Sequence, residues 1–287
     1  MSPPEDDRPE LIASQAVPAA QPGESIAHLA ENRRLVVRRA LLATMVGGVI
    51  PIPVLDDYFA GRVRAGMLMK LAERRRVDLV PSSAELLGDP REGTTVRNAT
   101  LTAATLIALK LAWRKFFALL ALGRRADEMA ASFQVGMLFD HYCAKVHVGA
   151  GVDRERAVEL RAAMFGALAE SERTALVGAF REGGRVLGQS VLEAPTWMSE
   201  RIERAARSWS ESGGRTADPG DGAEEGTEGT DERRWLDRAT SVVEDRLGRL
   251  GQNYLLGLVR SFERRWQQIE AQRQKPAAAP GASGGTG

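Results

Sequence analysis

Three residue types that could do chemistry occur together in the stretch DHYCAKVH: the carboxylate of Asp140, the thiol of Cys143 and the imidazole of His147. On a helix, a rotation of about 100° per residue would put these side chains on one face, while His141 would point elsewhere. Such a face could hold a reactive Cys–His pair or part of a zinc site. A zinc ion would still need a further ligand, such as His28 or a distant carboxylate. The Cys–His pair has no evident third group to orient its base.

The alternative interpretation of these residues is structural, because a free cysteine is commonly a small buried side chain and the histidine would lie partly exposed beside it. We favour this interpretation. We therefore predict no catalytic residue, no metal ligand and no cofactor. Asp140, Cys143 and His147 remain the candidates of a rival hypothesis, a small helical hydrolase or metal-dependent enzyme.

A glycine pattern suggests a second possible site. GGRVLGQS, at Gly183 to Ser190, has the glycine spacing of a P-loop, but Gln189 stands where the phosphate-binding lysine must be. Because no predicted strand precedes the pattern, we expect no nucleotide site here, and we expect Gly184 and Gly188 to allow close helix packing. No GxSxG, HExxH, CxxC or GxGxxG motif occurs in a usable context.

Composition excludes several classes of protein. The chain has 287 residues, 44% of them hydrophobic, and a formal net charge of +1, so it is neither wholly disordered nor a general nucleic-acid binder. Its single cysteine cannot form an internal disulfide. The first residues, MSPPEDDRPE, are acidic and Pro-rich, unlike a secretory signal. We expect a cytoplasmic protein without a nucleic-acid partner.

Charge is distributed unevenly along the chain. From Arg33 to Arg125 there are 17 Lys or Arg against 7 Asp or Glu, so this region is strongly basic and the remainder is acidic. Two interpretations stay open. The basic part neutralises the acidic part by docking on it, or it binds an anionic membrane surface or an acidic protein face.

Apolar residues recur at three- and four-residue steps, and no stretch alternates as a strand would, so we predict an all-α multi-helix bundle. The predicted units are a disordered tail over 1–24, a helical domain over 25–208, an acidic Gly-rich linker over 209–231, a long amphipathic helix over 232–273 and a disordered tail over 274–287. Within the domain, one helix should end at Gly47-Gly48 and another should span about 54 to 77. Residues 78–97 read as a connection with one helical turn. Asp153 and Ser171 should cap the helices that follow them.

The C-terminal segment has an apolar stripe that spans residues 232 to 273. A continuous helix of that length would be roughly 60 Å long. Since such a stripe is unstable alone in water, it must dock on the main body, pair with a second copy or bind a partner. Docking within the chain is the interpretation we favour.

The predicted interaction residues fall into a basic set and an apolar set. They are Arg33, Arg34, Arg38, Arg39, Lys110, Arg114 and Lys115, and then Trp235, Leu247, Tyr254, Phe262 and Trp266.

Two apolar stretches were considered as membrane spans. Ala40 to Leu55 is uncharged but only 16 residues long and ends in Pro51 and Pro53, which is short of the roughly 20 residues needed to cross hydrocarbon. The second, residues 99–122, carries Lys110, Arg114 and Lys115 near its middle. Neither predicts a simple span. A buried hairpin and an interfacial attachment both stay open for these stretches.

The stretch VGGVIPIPVLDDYFAGRVRAGMLMKLAERRRVDL combines a helix ending in small residues, a Pro-x-Pro turn, early acidic residues and a long amphipathic helix. This pattern, over roughly residues 36 to 80, resembles the helical domain of unknown function attached to bacterial GTPases, the YcjF-like group, and more loosely the EcsC-like proteins. The resemblance implies a helical, membrane-associated module in the cytoplasm that works beside a GTPase. It supplies no catalytic residues.

Together these observations predict a non-enzymatic helical interaction module, cytoplasmic and peripheral on the inner membrane surface, with a GTPase as a candidate partner. The alternatives are the enzyme that uses Asp140, Cys143 and His147, and a soluble homo-oligomeric scaffold that pairs through the C-terminal helix.

Overall fold

The computed structural model describes residues 26–47, 53–89, 117–149, 151–193 and 230–274. These residues form an all-α bundle, as predicted, with one π-helical turn at Tyr142–Val146 and one pair of two-residue strands. The helices are α1 (Leu29–Gly47), α2 (Pro53–Arg75), α3 (Pro81–Gly88), α4 (Phe117–His141), α5 (Arg154–Glu170), α6 (Thr174–Glu193), α7 (Thr230–Leu250) and α8 (Asn253–Gln274). The two predicted tails, most of the predicted linker, the helix predicted over 196–208, and Lys110, Arg114 and Lys115 lie outside the described residues.

The core forms where α1, α2 and α4 pack on one another. Val36 of α1, Met67 of α2 and Phe133 of α4 are fully buried there. Gly136 makes this packing possible, because a Cβ at that position would come 2.6 Å from Val36 Cγ1. α6 packs on α4, and α3 bridges α2 and α5.

Two local expectations need correction. Residues 78–79 form strand β1, which pairs in parallel with β2, residues 151–152. Two residues are too few to show an alternating pattern, so these strands have no signal in the sequence. Ser171 does not cap α6, which begins at Thr174; its hydroxyl instead donates to Leu168 O at 2.9 Å at the end of α5. The predicted cap at Asp153 is confirmed, since its Oδ1 accepts from Arg156 N at 2.8 Å.

The C-terminal segment is two helices instead of one. α7 ends at Leu250, and Gly251 takes a φ of +72°, a left-handed conformation that glycine adopts without steric cost and that ends a helix. α7 packs against α6 and α1, and α8 packs against α5 and α4. Leu247, Phe262 and Trp266 are buried by this docking, so the apolar stripe is covered within the chain.

The glycine pattern GGRVLGQS lies inside α6 and is therefore helix, not a loop that could surround a phosphate. Its first glycine, Gly183, packs closely against α7, and Gly184 is also buried, while the surroundings of Gly188 lie outside what the structure describes. A Cβ there would come 2.3 Å from Val243 Cγ2 and 3.4 Å from Ala239 O of α7. Gly183 thus sets how closely α7 approaches α6.

We predict that Gly183→Ala destabilises the fold by about 1–3 kcal/mol, because the added methyl group overpacks the α6–α7 contact. The matched control is Gly178→Ala on the same helix, where a Cβ meets nothing within 4 Å. That change should stabilise by about 0.5–1 kcal/mol through helix propensity. Urea unfolding measures both, and equal effects of the two substitutions would show that Gly183 is not a packing position.

Candidate functional site

The structure separates the three residues that the sequence placed on one helical face. Asp140 lies in the last turn of α4, Cys143 lies in the π-helical turn, and His147 follows that turn in extended backbone with φ −64° and ψ 129°. The π-helical turn ends with His147 N donating to Tyr142 O at 2.7 Å. Because a π turn is wider than an α turn, the 100° spacing that aligned the three residues does not hold here.

Asp140 is engaged by two other helices. Its Oδ1 accepts from Arg75 Nε at 2.8 Å and from Asn32 Nδ2 at 2.8 Å, and its Oδ2 accepts from Arg75 Nη2 at 3.1 Å. None of the Asp140 side chain is exposed, and only 16% of the Arg75 side chain is. Hydrogen bonds to Asp140 hold the pKa of Arg75 above its usual value. Asp140 therefore serves as a fixed counter-charge.

His141 has a partner on each side of its ring, although the sequence assigned it no role. Its Nδ1 lies 3.1 Å from His28 Nε2, and its Nε2 lies 3.0 Å from Glu263 Oε1 of α8. Burial, with His141 next in effect, lowers the pKa of His28 to about 4. With Asn32, Arg75 and Asp140 these residues form a polar cluster that joins the start of α1 to α2, α4 and α8; we call it the buried polar cluster.

Cys143 and His147 take part in different contacts. Burial raises the pKa of the Cys143 thiol, which disfavours the thiolate that a nucleophile needs. His147 Nδ1 lies 3.3 Å from the Tyr142 hydroxyl, and burial lowers the pKa of His147. The Tyr142 hydroxyl also accepts from Arg156 Nε at 3.4 Å, and the Arg156 guanidinium lies 4.2 Å from the centre of the Trp266 ring.

A metal site requires several donors around one point. Among the described residues, no group of three or more His, Cys, Asp or Glu side chains could hold a metal ion. His28, which the sequence offered as an additional zinc ligand, contacts His141 instead of the Asp140, Cys143 and His147 set. The guanidinium of Arg75 also donates to the His28 carbonyl, which places a positive charge at this position.

The predicted basic interaction residues of α1 bind within the chain. Arg34 Nη2 lies 3.3 Å from Asp237 Oδ1, and Arg34 Nη1 lies 3.7 Å from Glu244 Oε2. Arg38 also pairs with Asp237, at 3.6 Å. Arg39 is buried and Arg33 is half-buried. Acidic residues of α7, a helix with five Asp or Glu and five Arg, therefore pair with arginines of α1, which is one local case of the charge pairing that the sequence left open.

The predicted apolar interaction residues line the docked face of the C-terminal helices. Leu247, Phe262 and Trp266 are buried, and burial raises the pKa of Tyr254. The side chain of Trp235 lies outside the described residues.

The partners of Asp140 and His141 were not predicted from the sequence. The available signal was Asp140 itself, one acidic residue inside the apolar run FQVGMLFDHYC, because a carboxylate on a buried helix face requires a cation or hydrogen-bond donors. That signal predicts a partner without saying which residue it is.

We predict that Asp140→Asn costs about 3–5 kcal/mol, because it leaves the guanidinium of Arg75 with an uncompensated charge at a largely buried position. The control is Glu31→Gln, which removes the other acid of the same arginine; Glu31 lies 2.8 Å from Arg75 Nη1 but is 67% exposed. That loss should stay below about 1 kcal/mol. Urea unfolding measures the loss of unfolding free energy in both variants. A loss for Asp140→Asn as small as that for Glu31→Gln would contradict a structural ion pair.

We predict that Cys143 in the native chain reacts with iodoacetamide at pH 8 at least about ten-fold more slowly than in denaturant, since burial lowers its thiolate fraction. The chain has one cysteine, so mass spectrometry reports this site alone. Fast labelling of the folded protein would contradict this prediction and support the rival hypothesis of an enzyme that uses Cys143. Turnover that Cys143→Ala abolishes would support the same hypothesis.

Comparison with known proteins returns no relative. No protein-family model matches the chain, and no curated protein or solved structure matches it.

Proposed function

We propose that this chain is a non-enzymatic helical interaction module that attaches peripherally to the inner surface of the bacterial membrane. The contacts of Asp140 are the observation that supports the non-enzymatic part of this proposal. The carboxylate of Asp140 is fully buried and bound by Arg75 and Asn32, an arrangement that favours a structural ion pair over contact with a substrate. Cys143 is buried and His147 is bound to Tyr142, so the three residues favour structure over catalysis.

The membrane part of the proposal is supported by charge. Arg34 and Arg38 bind Asp237 and Glu244 within the chain, so they contribute less to an external contact than the sequence count suggested. Lys110, Arg114 and Lys115 accompany Trp113 in an apolar stretch, a composition typical of interfacial segments. These residues are the first support for a surface attachment.

No described helix has both the length and the apolar character needed to cross a bilayer.

The resemblance of residues 36 to 80 to GTPase-attached helical domains supports a GTPase as the partner class. In that arrangement this chain supplies a docking surface at the membrane, and the GTPase supplies the nucleotide chemistry. It is consistent with the helical position of GGRVLGQS, which gives this chain no phosphate loop at that motif.

Fractionation of native lysate tests the attachment. We expect the protein to sediment with membranes at low ionic strength and to be released at about 1 M salt, where the Debye length falls to about 3 Å and exposed charges no longer attract. An integral membrane protein and a soluble enzyme, followed in the same fractions, serve as controls. A chain that stays in the low-salt supernatant, or that only detergent releases, would contradict a peripheral electrostatic attachment.

A further inference from the structure

α7 has one side committed to the bundle. Leu236, Ala239, Val243 and Leu247 are buried against the main body. At 100° per residue, Asp237 and Glu244 lie on the flank of this apolar side, and both reach arginines of α1. The helix therefore directs two of its acidic residues inward.

The opposite side of α7 is basic. Arg234, Arg238, Arg246 and Arg249 are all exposed and fall within about 120° of one another around the helix axis. The acidic residue among them is Asp245, which pairs with Arg249 at 2.6 Å. We call this side, Arg234 to Arg249, the outer arginine face.

The same orientation of charge continues on α8. Glu263 contacts His141, and Glu270 pairs with Arg156. Arg260 and Arg264 are exposed on the side of that helix away from its buried residues, and Arg264 lies 3.8 Å from Glu170 of α5. Among the described side chains of the two helices, Asp237, Glu244, Glu263 and Glu270 are therefore bound to the rest of the bundle. Arg265 and Arg273 of α8 also pair with acids of α5, so the basic surface that we consider is the exposed side of α7.

We infer that the outer arginine face is the surface through which the chain contacts anionic phospholipid headgroups. This inference rests on the proposed function and specifies its site. Guanidinium groups bind phosphate oxygens well, and Arg238 to Arg249 spans about 16 Å along a helix. An extended row of cations on a convex surface fits a flat anionic layer better than a small ligand, which would need a concave pocket.

The contact is electrostatic. Among the described side chains of α7, the apolar one within the arc of this face is Val242, which is half-buried; Trp235 falls within the same arc of the helix, and its side chain lies outside the described residues. Such a contact depends on lipid charge and is weakened by salt. This behaviour distinguishes it from an amphipathic helix that inserts an apolar side.

Vesicle sedimentation with the full chain tests the inference. The probes are vesicles of phosphatidylcholine alone and vesicles that also contain about one third phosphatidylglycerol. The variant is Arg238→Gln with Arg246→Gln, two exposed arginines. Since each basic residue near an anionic surface contributes about five-fold to binding, the double variant should bind anionic vesicles roughly 25-fold more weakly.

The matched control is Arg154→Gln with Arg181→Gln, two exposed arginines of α5 and α6. It changes net charge equally, and it should bind within about two-fold of the original chain. All four positions are on the surface, and circular dichroism checks that both variants keep the helical fold.

The outcomes separate the inference from the proposed function. Suppose that the original chain binds anionic vesicles. If both double variants bind as tightly as the original chain, or if both lose the same affinity, the assignment of the outer arginine face as the lipid site is overturned, while the membrane attachment stands. If the original chain binds neither kind of vesicle, both fail. If a short RNA at the same salt concentration competes the chain off the vesicles and binds through Arg238 and Arg246, the partner is a nucleic acid and the lipid assignment is overturned.

Discussion

Asp140 lies in α4 with none of its side chain exposed, and its charge is balanced by Arg75 of α2 and by Asn32 of α1. A buried carboxylate is tolerated only when such partners are present, because the desolvation of an ion costs several kcal/mol. The ion pair therefore restricts α1, α2 and α4 to arrangements in which these groups meet. Arg75 extends the constraint, since its remaining donors reach Glu31 and the carbonyl of His28.

From this point the polar contacts continue into the C-terminal helices. His141, the neighbour of Asp140, contacts Glu263 of α8, while Tyr142 meets Arg156 and the edge of Trp266. On α7, the other C-terminal helix, Asp237 forms ion pairs with Arg34 and Arg38 of α1. Apolar burial supplies most of the driving force for this docking, because it is not directional. The polar contacts determine which faces of α7 and α8 turn inward.

This division of roles explains why the candidate residues are arranged as they are. The carboxylate of Asp140 and the imidazoles of His28 and His141 lie at the junction of α1, α2, α4 and α8, where the chain needs hydrogen bonds inside a packed interior. The same docking that covers the apolar stripe places arginines on the outside. The burial of Asp140 and the exposure of arginines on α7 thus follow from the same packing.

Local features could be predicted from the sequence. The helical class followed from the apolar periodicity, and the cap at Asp153 followed from its residue type and the residues after it. The apolar stripe over residues 232 to 273 indicated that the C-terminal segment needs a surface to cover it, and docking within the chain, the favoured one of three interpretations, is observed. These features depend on neighbours within a few positions, where the chain's own geometry connects residue type to structure. One local prediction was wrong: the apolar periodicity predicted a single helix over residues 232–273, and the left-handed backbone of Gly251 divides it into two.

Tertiary structure alone decided which distant groups meet. Arg75 and Asp140 are 65 positions apart, His28 and His141 are 113 apart, and Arg34 and Asp237 are 203 apart. A sequence shows that a buried charge needs a partner, but many residues of suitable type satisfy that need. The choice among them depends on how helices pack in three dimensions, and so does the side of α7 that carries exposed charge.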